Sequence, residues 1–203
     1  ATRTESAPVN SLAELCLAIL VLLVTPGPTN TLLFLAGSER GWRGALQLIP
    51  AELLGYLATV LPLTLIGATL LQSHPEARPA IALLAGVWVA WLALKLWQPG
   101  RNSPATPHVT PHITARMVFV TTLLNPKALI FGLVLLPSPD QLPLNFAIFA
   151  TQVTVVAAAW ASFGAGLTAG SQQNPRTLPL IRRIASVWLG VVSLTLIAKS
   201  LGA

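Results

Sequence analysis

Thr25-Pro26-Gly27-Pro28-Thr29-Asn30 interrupts an apolar stretch, residues 12 to 36, that is long enough to cross a bilayer. Pro26 and Pro28 lack backbone N–H groups, so a helix through this point loses its bonds to the carbonyls of Leu22 and Val24. In hydrocarbon those carbonyls cannot turn to water. Irregular backbone at that depth persists only where protein or a wet cavity covers it. The segment therefore reads as a broken membrane helix beside a binding site.

Composition points the same way. Charged residues are 9% of the 203-residue chain, against roughly a quarter of a soluble domain, and the mean hydropathy is +0.71. A crossing takes about 20 apolar residues, which leaves room for roughly six spans and little else. One all-α membrane domain over residues 1–203 is expected. The single Cys16 excludes an intramolecular disulfide and any paired-cysteine redox relay.

Apolar runs and their punctuation predict helices at 12–36, 44–71, 79–98, 111–136, 142–170 and 178–201. Ser11 and Glu14 have capping-box spacing, and Thr110-Pro111 and Thr177-Leu178-Pro179 place proline near helix starts. The first eleven residues are polar without a basic n-region, so the first span is expected to stay uncleaved. Of the twelve lysines and arginines, eight follow helices one, three and five: Arg40, Arg43, Lys95, Arg101, Arg116, Arg176, Arg182 and Arg183. Arg3, Arg78 and Lys199 fall on the other side, and Lys127 lies within a span. By the positive-inside rule both termini are outside. The +6 charge thus describes basic loops, and with no interleaved aromatics no nucleic-acid partner is expected.

The connection from Gln98 to Thr110 carries Pro99, Gly100, Pro104 and Pro107, which favour extended, solvated backbone. It separates a first repeat, 12–98, from a second, 111–201. Helix four has its own interruption, Asn125-Pro126-Lys127, about as deep as the first. Three crossings per half make the halves enter the membrane from opposite sides, an inverted repeat, and paired broken helices in such halves mark a midplane site. Two proline kinks that merely improve packing are the alternative.

Pro26-Gly27-Pro28-Thr29-Asn30-Thr31-Leu32 and Asn125-Pro126-Lys127-Ala128 resemble the two signature segments of the LysE/RhtB family of amino-acid exporters. Gly37-Ser38-Glu39-Arg40-Gly41, a Gly-rich basic turn directly after the first span, adds to the resemblance. Thr29 departs from it, since many relatives run straight from the second proline to asparagine. The resemblance covers the six-span layout and implies export of amino acids or related metabolites across the bacterial cytoplasmic membrane, driven by an ion gradient. It implies no enzyme activity and no cofactor.

The residues supply a chemistry for that role. A half-helix beginning after Pro28 offers the N–H groups of Thr29, Asn30 and Thr31, with the positive end of the helix dipole behind them. A substrate carboxylate suits that place, with Thr25, Thr29 and Asn30 side chains as further partners. At the second break Pro126 frees the carbonyl of Thr122, and Asn125 can bond local backbone. Lys127 adds a positive charge that calls for an anionic partner, either substrate or Glu52. The candidate substrate-binding residues are thus Thr25, Pro26, Gly27, Pro28, Thr29, Asn30, Asn125, Pro126 and Lys127.

Glu52 is the one carboxylate well inside a predicted span. An ionised group at a helix centre costs about 2.5–3.5 kcal/mol on insertion scales, so Glu52 is expected to be protonated, paired or in a wet cavity, as suits a proton-coupling residue. A cavity shared with Lys127 is expected, not a fixed ion pair. Tyr56, four residues on, shares its face and can reach the same cavity, which adds it to the candidate substrate-binding residues. Ala158, Ser162, Gly166 and Gly170 form a small-residue stripe on helix five, and Ala51, Gly55 and Thr59 another on helix two; both read as packing surfaces, the first also suited to a homodimer contact. His108 and His112 sit among prolines with no acidic or thiol neighbour, so no metal site is expected. No phosphate-binding loop or nucleophile elbow is present, which argues against ATP coupling and hydrolase chemistry. The expected partners are an amino-acid-like solute, protons and the bilayer; an inorganic-ion carrier or channel on the same scaffold is the competing class.

Overall fold

Pro26 and Pro28 split the first apolar run into α1, Leu12–Val24, and α2, Pro28–Leu46, which meet at a 63° bend. The computed structural model describes residues 12–67, 73–74, 77–97, 113–136, 141–169 and 177–201. Ser11, Gly170, Thr110-Pro111 and the 98–110 connection, with His108 and His112, lie outside them. After a short turn α3 runs Ile49–Pro62 and widens into a π turn, Leu63–Gly67, directly after Pro62 has removed a ladder N–H. Helix α4 is Ala77–Trp97. The fourth span is again double: α5, Ala115–Leu123, and α6, Lys127–Ile130, which continues as a π turn over Phe131–Leu135, bent by 52° from α5. Helices α7, Leu142–Ala169, and α8, Thr177–Leu201, complete the chain. Among the described residues, four helices are long and apolar enough to cross a bilayer singly, and six spans result if each bent pair is one crossing.

Several boundaries differ from those expected. Helix four begins with Thr114 as N-cap, its side chain accepting from Met117 N at 3.2 Å. The Gly37–Gly41 turn is helical as far as Arg40; only Gly41 breaks it, at φ 71°, a left-handed conformation that favours glycine. Residues 42–46 form a short helical segment beyond the Gly41 kink, and α3 starts at Ile49.

Helix α2 packs on α7, α3 on α5, and α4 on α8. One apolar core gathers Leu32, Leu35, Leu92, Met117, Ala161 and Leu189; a second gathers Ile19, Leu23, Tyr56, Phe131 and Phe149. Leu17, Leu65, Leu94 and Leu194 point outward, while Thr29, Asn30, Glu52, Thr121, Thr122 and Asn125 are buried. That distribution suits a hydrocarbon surround, where polar groups must be satisfied inside.

The closest approach is between α2 and α7. A Cβ on Gly37 would lie 2.0 Å from the carbonyl oxygen of Ala161, and one on Gly164 would lie 1.9 Å from that of Phe34. Contact on α7 is thus made by Ala157, Ala161 and Gly164. The stripe expected there is displaced: Ala158 is half-buried, and Ser162 and Gly166 are exposed. A four-residue repeat identifies a face only to within the 100° step between neighbours. The helix-two stripe does pack, with Gly55 against the Phe119 carbonyl and Thr122. Gly37→Ala is expected to lower the melting temperature and the folded yield, since backbone cannot yield as a side-chain tip can and overpacking costs about 1–3 kcal/mol or more. Gly166→Ala, which meets nothing within 4 Å, is the matched control and should melt like the parent.

Arg40, Lys95, Arg182 and Arg183 lie at one end of the bundle, and Lys127 lies at the second break. Arg182 Nη2 donates to Glu39 Oε1 at 2.7 Å, a buried pair tying α8 to α2. Arg40 donates to the Ile113 carbonyl just before α5. Lys95 lies 4.7 Å from the Trp91 ring centre, and Arg183 lies 6.0 Å from that of Trp97.

Candidate functional site at the two helix breaks

At the first break the freed backbone is recaptured locally. Asn30 Nδ2 donates to the carbonyls of Leu23 at 2.7 Å and Thr25 at 3.1 Å, so one amide caps the end of α1 from inside α2. The Thr25 hydroxyl donates back to Val21 O at 2.7 Å, leaving its carbonyl, not its hydroxyl, as the group it presents. Thr31 N–H donates to Gly27 O at 2.9 Å. Of the three N–H groups expected to be open, those of Thr29 and Asn30 therefore remain beyond the helix ladder, and Thr31 is engaged as the first ladder donor.

The second break is closed by side chains from two directions. Asn125 N–H takes the Thr122 carbonyl at 3.0 Å, which is thus not free as expected, and the Thr59 hydroxyl takes the Leu123 carbonyl at 3.0 Å. Asn125 Oδ1 accepts from Lys127 N–H at 3.1 Å, an Asx-type bond that starts α6.

The breaks then meet. Asn125 Nδ2 reaches Thr29 Oγ1 at 3.3 Å and Tyr56 OH at 3.4 Å, and the Thr122 hydroxyl reaches Thr29 Oγ1 at 3.3 Å. Three spans thereby contribute to one buried polar cluster. The Lys127 ammonium crosses to the Thr25 carbonyl. Its aliphatic tip passes Gly27, where a Cβ would stand 3.3 Å from both Cε and Nζ. Gly27 itself is extended (φ −160°), so space, not backbone angle, accounts for glycine here.

Lys127 has a partner that the sequence did not show. It takes the C-terminal end of α1, where carbonyls beyond the helix ladder carry the negative end of the helix dipole. That contact compensates a cation standing at the positive start of its own helix. Glu52 lies one turn from Tyr56, is 2% exposed, and its Oε2 has no hydrogen-bond partner among the described residues. No ion pair joins it to Lys127 among the described contacts.

The expected residues do not all converge. Thr29, Asn30, Tyr56 and Asn125 are brought together with Lys127, Gly27 and the Thr25 carbonyl. Pro28 serves as the first residue of α2 and Pro126 as N-cap of α6, structural positions both. Pro26 instead faces an apolar groove of about 460 Å³, shared with Phe34, Trp160, Phe163 and Trp188. Thr121 and Thr122 were missed in the sequence; adjacent hydroxyls in an otherwise apolar run, one turn before Asn125, are the signal. Thr121 receives the Trp88 indole N–H at 2.9 Å, which fixes α4 against α5.

A "Cysteine/O-acetylserine efflux protein" of Salmonella paratyphi A is 26% identical over 149 residues, covering 71% of this chain and 73% of that protein, and the protein of that name from Salmonella typhi matches equally. One from Klebsiella pneumoniae subsp. pneumoniae is 27% identical over 94 residues, covering 45% and 46%. No solved structure matches significantly. The model of the LysE type translocator family matches residues 20–201, nearly the whole of the described bundle, and the chain therefore belongs to that family of membrane transporters.

Proposed function

We propose that this protein is a secondary active exporter of small polar amino acids and their close derivatives, driven by proton antiport. The observation that carries the reading is the buried cluster in which both broken helices meet, Thr29 with Thr122, Asn125 and Tyr56, one helical turn from Glu52. The substrate class is supported by the names of the relatives, which are cysteine and O-acetylserine efflux proteins.

In this mechanism the substrate carboxylate docks on the N–H groups of Thr29 and Asn30 at the start of α2, where the dipole favours an anion. Asn125 and Tyr56 fix its orientation, Lys127 holds the end of α1, and Glu52 carries the proton on the return step. An inverted repeat is supported by the packing. The first span of each half lies on the second of the other (α2 on α7, α5 on α3), and the two third spans pair (α4 on α8). At the level of whole spans, a two-fold exchange of the halves turns each contact into another of the set, the arrangement on which rocking carriers are built.

The experiment is solute counterflow in liposomes holding the purified protein, screened across amino acids with and without a pH gradient. Uptake of O-acetyl-L-serine or cysteine that a gradient accelerates is the expected result; movement of inorganic cations without amino-acid competition would replace this reading with an ion carrier. Orientation has its own test. In a Cys16→Ser background, Trp42→Cys, which is half exposed at the basic end, should react with an impermeant maleimide in inside-out vesicles and stay unlabelled in intact cells.

A further inference from the structure

The two halves share a numerical register. Pro26 and Pro126, Glu52 and Gln152, and Trp88 and Trp188 are each separated by 100 residues, one pair for every pair of corresponding spans. The middle pair also shares a physical property: Glu52 Oε2 and Gln152 Oε1 are both buried side-chain oxygens with no hydrogen-bond partner among the described residues. Leaving a buried acceptor unsatisfied is unfavourable, so two of them at matching positions call for a donor that arrives from elsewhere.

Position places Gln152 beside the site. It stands between Phe149 and Val156 on α7, residues of the apolar core that also holds Leu23 and Tyr56, and the Phe149 ring lies 5.4 Å from that of Tyr56. Counting back along α7 from its contacts, Ala161 against Gly37 and Gly164 against Phe34, Gln152 falls level with residues 22 to 28 of the first span. That is the first break.

The side-chain nitrogen donors at the break are already committed, Asn30 Nδ2 to two carbonyls, Asn125 Nδ2 to Thr29 and Tyr56, and Lys127 to Thr25, and the open backbone N–H groups of Thr29 and Asn30 are the carboxylate's place in the exporter reading. What the interior has to spare is acceptors. An ammonium group has the complementary character, three donors and no acceptor.

We propose that Gln152 accepts a hydrogen bond from the substrate's ammonium group, and so sets the requirement for a free amine. The inference rests on the exporter reading above. Its test uses two isomers, O-acetyl-L-serine, with a free ammonium, and N-acetyl-L-serine, in which the acetyl group has removed it. Binding of each to purified protein is measured in mildly acidic buffer for the parent, Gln152→Leu and Gln152→Glu.

The expected result is that Gln152→Leu loses roughly tenfold in affinity for O-acetyl-L-serine, the cost of one charged hydrogen bond at the low end, and with it the preference over the N-acetyl isomer. Gln152→Glu keeps every acceptor while losing the amide donors, and should retain both. Unchanged affinity in Gln152→Leu overturns the assignment. So does equal loss in Gln152→Glu, which would make the amide a donor to the carboxylate. A parent protein that binds neither isomer nor cysteine removes the exporter reading itself.

Discussion

Glu52→Gln is expected to reduce proton-driven accumulation of substrate to the level of empty liposomes while leaving solute-for-solute exchange in place. The substitution is nearly isosteric, so the contacts of a 2% exposed side chain survive, but the amide cannot cycle between a charged and a neutral form. A group carrying a proton only on the return step is dispensable when a second solute molecule makes that step. Exchange in the variant should also lose its dependence on pH. The measurement is paired: accumulation against a gradient, and equilibrium exchange, on the same preparation. Loss of both, with folding preserved, would place Glu52 in binding or assembly instead of coupling.

Lys127→Met is expected to cut transport in both modes by about ten- to a hundredfold, the range that follows from losing a charged hydrogen bond worth about 1.5–3 kcal/mol. The methionine retains the length and apolar body that lie over Gly27, so packing there changes little. What goes is the donor on the Thr25 carbonyl, a side-chain link between the second break and the end of α1. Lys127→Arg should recover part of the activity, since the guanidinium also donates, though its planar fork fits a single carbonyl less well. Gly27→Ala should resemble a mild Lys127→Met, because the added carbon meets the flexible tip at 3.3 Å and displaces it slightly. Wild-type transport in Lys127→Met would reduce the Thr25 contact to a passive one.

The spans and both breaks were legible because proline leaves a signature that no packing can erase: Pro26, Pro28 and Pro126 each delete a donor. Glu52 was legible for a similar reason, being a charge where insertion is costly. The partners of these groups were not. For Lys127 only an anionic partner, substrate or Glu52, was expected, because sequence shows its own helix start but not that the end of α1 docks beside it. Thr25 was counted as a hydroxyl, whereas the hydroxyl bonds Val21 and the carbonyl remains. The packing face of α7 was misplaced because small residues occur at both 157–161–164 and 158–162–166, and only the position of Gly37 distinguishes them. Pro62, unlike the other helix breakers, yields a π turn without a span-splitting bend; that outcome depends on Gly132 admitting Leu63 and Val60 from the neighbouring span.

Coupling of solute to protons is the claim on which the rest depends, and lumenal pH tests it most directly. Liposomes containing the protein are loaded with O-acetyl-L-serine and a pH-sensitive dye, with membrane potential clamped by potassium and valinomycin, and then diluted into solute-free buffer of the same pH. Antiport predicts that the lumen acidifies in step with solute efflux, and that Glu52→Gln abolishes the acidification. Solute leaving at the protein-dependent rate while lumenal pH stays constant in the wild type would contradict it.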